Sequence, residues 1–230
     1  MIITIDGAVA TGKTTIAAKL ADSLGFIFFD TGAIYRLLTY AIFKHEIEIQ
    51  NQAQLREFLK NFRLDIKVQK QDRQYLYEEE DVTQAIRRNE VSNRVSEIAA
   101  VKEIRDKVTI LVRKLSYGIN AVFEGRDMGT VVFPDAELKI FLTGRDEVRA
   151  KRRYDELINK FPTEVGNFTL DRCLQELKER DRYDSTREYA PLIQSEDSFV
   201  IDTSEVSIEE AVFKILEYKD AIKSKKPFSL

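Results

Sequence analysis

The chain has 230 residues, 43% hydrophobic and 33% charged, with a formal net charge of −3. Its length suits one α/β core with small appendages and excludes two full-sized domains, while the acidic balance excludes a global positive field for a nucleic-acid backbone. One cysteine, Cys173, excludes an internal disulfide, and with neither a signal-peptide pattern nor a membrane-length apolar stretch the expected location is cytoplasmic.

Ile2-Ile3-Thr4-Ile5 reads as a buried strand and runs into Gly7-Ala8-Val9-Ala10-Thr11-Gly12-Lys13-Thr14, a full match to G-x-x-x-x-G-K-[ST]. The glycines let backbone N–H groups turn inward around a polyphosphate, and the helix that begins near Lys13 aims its positive dipole end at the same place. Residues 7–14, with Thr15 behind them, are the expected cradle for a nucleoside triphosphate; Lys13 reaches the outer phosphates and the Thr14 hydroxyl can ligate Mg²⁺. Ile16, Leu20 and Leu24 then recur every fourth residue, and Gly25 offers a left-handed helix cap. Residues 26–29 are a short apolar run, suited to a strand covered on both faces. Beyond the polar cluster Asp30-Thr31-Gly32, one face of a helix is marked by Ile34, Leu37, Leu38, Ala41 and Ile42. Arg36, on the other side, is either a solvated charge or a phosphate contact at the carboxyl end of a strand.

A polar helical segment over residues 52–62 gives way to the alternation Leu64, Ile66, Val68, broken at Lys70-Gln71-Asp72 and resumed at Tyr75 and Tyr77. This change of period predicts an antiparallel hairpin projecting from the core. Residues 63–89 are the candidate insertion, between core segments 1–62 and 90–230. Glu78-Glu79-Glu80-Asp81 is read as a solvated turn rather than a metal site, and His45 has no evident neighbour and receives no role. Residues 91–115 are helical, with Val101, Ile104, Val108, Leu111, Val112 and Leu115 on one stripe ahead of Gly118. Residues 119–123 form another buried strand, tipped by Glu124-Gly125-Arg126-Asp127. An acidic residue at that position commonly holds a Mg²⁺-bound water, the role assigned to Glu124. Arg126 either pairs with Asp127 or meets a phosphate, and the phosphate is preferred.

Residues 138–142 are a further strand, after which arginines crowd the chain. Arg145 and Arg172 read as surface ion pairs. The interruption at residues 161–167 splits the region into two helices, so residues 153–167 have the layout of a lid carrying arginines over a phosphate chain. Cys173 belongs with Leu170, Leu174 and Leu177 as a small core residue. Residues 198–202 give a last strand, and Ser207-Ile208-Glu209-Glu210 opens the final helix with a capping box.

The alternation predicts an α/β fold: a P-loop NTPase-like parallel five-stranded sheet flanked by helices, with a small β-containing insertion and a helical lid. Ile5-Asp6-Gly7, Asp30-Thr31-Gly32-Ala33-Ile34-Tyr35-Arg36, Lys178-Glu179-Arg180-Asp181 and Ala190-Pro191-Leu192 carry a specific resemblance. So does Glu124-Gly125-Arg126-Asp127-Met128-Gly129-Thr130-Val131-Val132-Phe133-Pro134-Asp135-Ala136. Together they resemble the bacterial-type cytidylate kinases, a branch of the nucleoside monophosphate kinases. The resemblance implies phosphoryl transfer from ATP to CMP or dCMP with Mg²⁺, the insertion closing on the monophosphate and the lid on ATP. It places the acceptor phosphate on Arg36 and Arg126 with Thr31 nearby, the ribose on Arg180 and Asp184, and the base on Ser96, Arg105, Asp127 and Arg187. Catalysis falls to Lys13, Arg126 and the lid arginines Arg149, Arg152 and Arg153. Cytosine offers an amino donor beside two acceptors, so a carboxylate with arginine and serine donors complements it. Val9-Ala10-Thr11 departs from the family's more glycine- and serine-rich loop, and Arg182-Tyr183 is also unusual. The expected partners are small molecules alone, with no nucleic acid and no membrane, and the chain is expected to be a monomer. A rival is a kinase for UMP, AMP or a small metabolite; a GTPase would need Asn-Lys-x-Asp, which is absent.

Overall fold

The computed structural model describes residues 1–69, 72–160 and 169–225. Its strands are β1 (Ile2–Gly7), β2 (Ile27–Asp30), β3 (Asp65–Gln69), β4 (Asp72–Tyr77), β5 (Glu80–Asp81), β6 (Ala121–Gly125), β7 (Leu138–Thr143) and β8 (Phe199–Asp202). The helices are α1 (Lys13–Leu24), α2 (Thr31–Lys44), α3 (Gln52–Asn61), α4 (Asn89–Ala100), α5 (Lys102–Leu115), α6 (Asp146–Lys160), α7 (Leu170–Thr186) and α8 (Ile208–Lys225). Five strands make a parallel sheet in the order β2-β6-β1-β7-β8, with the helices over it. In register, Asp6 lies opposite Gly125, Asp30 opposite Glu124, and Thr143 opposite Asp202. The carboxyl ends therefore share one rim, where a doubly wound sheet collects its ligands.

Alternation along the strands divides the core. Ile3 and Ile5 of β1 and Val122 of β6 pack with Ile16 and Leu20 of α1 and Ile215 of α8. Phe123 faces the other way, stacks on Phe29 at 4.9 Å, and joins Leu37, Leu38, Ile104 and Val108 from α2 and α5. Each such side chain contributes about 1.5–3 kcal/mol by leaving water. The end signals read from the sequence recur in the structure. Gly25 adopts φ 65° as α1 ends, and Ser207 and Glu210 exchange hydrogen bonds of 2.7 and 3.1 Å as a capping box.

Three expectations need correction. The helix expected over residues 91–115 is two helices, because the chain turns at Val101 (φ −69°, ψ 123°). No proline or glycine announces the break; Arg105 Nη1 donates at 2.9 Å to Ala99 O, one of the carbonyls that α4 leaves without an intrahelical partner. The acidic run is a turn only at Glu78 and Glu79, whose φ values are 51° and 69°; Glu80–Asp81 adds a third strand to the hairpin. His45 does have neighbours, its Nε2 lying 3.0 Å from Glu78 and its ring edge-on to Tyr77. The insertion meanwhile shares the α2–α5 core through Tyr75, Tyr77, Val82 and Ile86.

A buried carboxylate ties the rim together. Asp6, at the end of β1, accepts from the backbone N–H groups of Met128 (2.9 Å) and Gly129 (2.7 Å), holding the wide turn Met128–Val132 behind the phosphate loop. Burial pushes its pKa up to about 6, opposed by those same two donors. Asparagine offers one carbonyl oxygen where two donors need acceptors, so Asp6→Asn should cost about 1–3 kcal/mol. Thermal unfolding checks this: a fall of roughly 3–9 °C is expected for a chain of this size, and an unchanged midpoint would show that the two amides do not depend on the carboxylate.

Candidate active site

The phosphate loop joins β1 to α1. Gly7 is required because a Cβ there would stand 2.3 Å from Leu142 O on the neighbouring strand, and Gly12 opens α1 at φ 86°. Ala10 adopts φ 57°, a left-handed conformation costing a non-glycine residue about 1–2 kcal/mol. That strain is stored at the mouth of the site. Lys13 is buried and donates from Nζ to Ala8 O at 2.5 Å. Burial lowers its pKa first and the Arg126 charge lowers it further, with Glu124, Asp6 and Asp181 opposing. Thr14, exposed beside Thr15, donates from its hydroxyl to Glu124 Oε1 at 2.6 Å. Burial pushes Glu124 up and Asp30 adds to the shift, while Lys13 and Arg126 pull it down. A hydroxyl and a carboxylate side by side are oxygen donors suited to a hard divalent cation.

Across the cleft, arginines converge. Arg126 donates from Nε to Asp184 Oδ2 at 2.9 Å, not to its sequence neighbour Asp127, which corrects the structural alternative weighed for it. Arg180 Nε is buried without a hydrogen-bond partner. Burial brings the Arg180 pKa down to about 10, helped by the charges of Arg126, Arg36 and Arg153 and resisted by Asp184. The charges of Arg126, Arg36 and Arg153 thus all reach Arg180. Arg36, half-buried, has no hydrogen bond or ion pair among the described residues, and its Nη1 lies over Gly32. Arg153 pairs with Glu156 at 2.9 Å, one turn along α6.

A second pocket adjoins this one. Arg105 and Asp127 are 2% and 1% exposed, and Arg105 Nη2 stands 2.5 Å from Asp127 Oδ2 as an ion pair, while Arg105 Nε and Arg187 Nη2 are buried without hydrogen-bond partners. The guanidinium of Arg105 lies 5.1 Å over the Tyr35 ring, and burial pushes the Tyr35 phenol up. Arg187 Nε donates to Ala190 O at 2.7 Å, and its Nη1 stands 3.8 Å from Asp184. Ser96 is half-buried on α4. A buried carboxylate paired with one arginine, beside guanidinium nitrogens that lack partners, can take a flat ligand presenting both donors and acceptors.

Other expected site residues are occupied elsewhere. Thr31 is buried and donates to Glu124 O at 2.6 Å. Arg152 holds the loop after β8 through Thr203 O at 2.6 Å. Arg149 is 5% exposed and bonded to Gly144 O, Val9 O, Asp181 and Asp146. Of the lid, residues 161–167 lie outside the described residues. Sequence reasoning gave no role to Asp6, Tyr35 or Asp181, although each lies within a motif it quoted. For Asp6 the available signal was an acid inside an otherwise apolar strand, which is rarely buried without a dedicated partner.

A family model described as Cytidylate kinase matches residues 3–221. A cytidylate kinase of Protochlamydia amoebophila (strain UWE25) is 61% identical over 227 residues, spanning 99% of this chain and 100% of that relative. One from Fusobacterium nucleatum is 38% identical over 212 residues, spanning 92% and 94%. The solved structure of shikimate kinase from Bacteroides thetaiotaomicron shares the fold, with TM-score 0.52, 11% identity, and coverage of 96% and 98%. The match runs through the phosphate loop, the converging arginines and the Arg105–Asp127 pocket alike, and on that ground the chain belongs to the cytidylate kinase family.

Proposed function

We propose that this protein transfers the γ-phosphoryl group of ATP to CMP or dCMP, with Mg²⁺, acting as a monomer in the cytoplasm without nucleic-acid or membrane partners. No helix among the described residues is long and apolar enough to cross a membrane. The observation that carries the reading is the buried Arg105–Asp127 ion pair, together with Arg105 Nε and Arg187 Nη2, which are buried without hydrogen-bond partners. The carboxylate suits the cytosine amino group and the arginines suit its ring nitrogen and carbonyl. Uracil would set a carbonyl against the carboxylate, leaving a buried acceptor without a donor.

An acceptor phosphate oxygen attacks the γ-phosphorus in line as the bond to the ADP oxygen breaks, so catalysis rests on placement and charge. Arg36 and Arg126 hold the acceptor phosphate, Lys13 the outer phosphates of the donor, and Arg180 and Asp184 the ribose. The backbone of residues 7–14, continuing to Thr15, cradles the donor. Thr14 and Glu124 would hold Mg²⁺, and their paired oxygens fit it. When bound, that ion neutralises charge on the β- and γ-phosphates. With Arg149 committed to the loop and Arg152 to Thr203, Arg153 is the lid arginine assigned to the transferring group. Residues 63–89 form the flap over the monophosphate and residues 153–167 the lid. Arg73 of β4 donates to Phe28 O at 2.8 Å and so links the flap to the sheet edge.

Lys13→Ala should lower kcat by about 10²-fold or more with little change in melting temperature; near-normal turnover would remove Lys13 from the donor site. Asp127→Asn should lower the CMP-to-UMP ratio of kcat/KM by about tenfold or more, whereas equal losses for both acceptors would refute base reading by this carboxylate. CMP with a non-hydrolysable ATP analogue should slow hydrogen exchange in residues 64–77 and 153–167. Unchanged exchange in both would rule out two closing segments.

A further inference from the structure

We propose that Asp181 is a positioning residue that couples the acceptor site to the phosphate loop, an inference that rests on the reaction proposed above. Its carboxylate, with Arg149, holds one residue of the loop, Val9, at both its N–H and its carbonyl. Oδ1 accepts from Val9 N at 3.0 Å, and Oδ2 accepts from Arg149 Nη1 at 2.5 Å. That same Nη1 donates to Val9 O at 2.9 Å. Both polar groups of the Val9 residue are thus held by one acid–arginine pair, while Arg149 is itself anchored to Gly144 O at 2.9 Å.

Part of α7 belongs to the proposed acceptor site. Arg180 and Asp184 are four apart on one stripe of the helix, Arg187 is the extended residue that follows its end, and Asp181 sits one residue round from that stripe. Asp184 is bonded to Arg126, so the helix already reaches the acceptor phosphate site. A packed helix moves as a unit, and a ligand that fixes Arg180 and Asp184 fixes Asp181 on Val9 as well. The charge of Asp181 also acts on Lys13 and on Arg126, favouring the protonated form of both. One carboxylate therefore stands within electrostatic reach of the donor side and the acceptor side together.

The test is steady-state kinetics with both substrates varied, on the wild type, Asp181→Asn and Arg149→Lys. Asparagine keeps an acceptor for Val9 N–H and removes the charge; lysine breaks the same link from its other end. In the wild type the KM for ATP should fall about fivefold or more between low and saturating CMP. In both variants that dependence should disappear while each protein still melts cooperatively. Loss of the dependence in both supports the coupling. A wild-type KM for ATP that ignores CMP, or a dependence that survives in either variant, overturns it with the reaction left standing. Absence of any CMP turnover in the wild type overturns the reaction, and the coupling with it.

Discussion

Several guanidinium groups must be kept charged, close together and largely out of water, and this constraint governs the rim of the sheet. A buried cation without a partner costs several kcal/mol, so each of three arginines is paired with a carboxylate from another element. Arg126 takes Asp184, Arg105 takes Asp127, and Arg149 takes Asp181. None of these pairs lies within one helix or strand. They join the β6 tip to α7, α5 to the β6 tip, and α6 to α7, so the groups that balance charge also hold the elements in place. Lys13, Arg36 and Arg180 have no ion pair to a carboxylate among the described residues. On the function proposed above, a polyphosphate and a monophosphate would supply the missing anions.

The sheet makes this possible because register brings four strand ends level. Asp6, Asp30, Glu124 and Asp202 each lie at or within a residue of the end of a parallel strand. Only some face the ligands. Asp30 caps α2 by accepting from Ala33 N at 2.9 Å, and Asp6 holds the turn after β6. Glu124 is left to the cleft beside the Thr14 hydroxyl. Carboxylates at similar heights thus divide into structural and chemical roles according to which donors reach them.

What could be read from sequence was local. The phosphate loop, the Gly25 cap and the Ser207–Glu210 capping box each depend on a few consecutive residues whose backbone geometry is set by those residues. Partner choice was not local. Arg126 is bonded to a residue 58 positions away, and His45 to one 33 away. One of these could have been narrowed: consecutive side chains leaving an extended strand point to opposite faces, which already disfavoured an Arg126–Asp127 pair. The break at Val101 left no such trace, because the group that takes up the Ala99 carbonyl comes from the following helix. Ala10 shows the opposite case, a departure from the family's glycine-rich loop that was visible in the sequence. Only the backbone showed its cost, an alanine at φ 57°.

Selectivity and catalysis draw on parts of different rigidity. The site proposed for the base rests on Arg105 and Asp127, both almost fully buried and backed by the aromatic face of Tyr35 in the main core. The arginines proposed for the phosphates, Arg126 at the β6 tip apart, come from helices around the cleft, and Arg36 and Arg153 are only half-buried. A ligand can draw these side chains inward at small cost, whereas the base pocket has no comparable freedom. Truncating Asp127 would leave Arg105 buried and uncompensated, a penalty of about 3–5 kcal/mol for a broken buried pair. The residues proposed to choose the base therefore also hold α5 against the sheet. A change of acceptor by substitution at this pair would have to restore the fold as well as the fit.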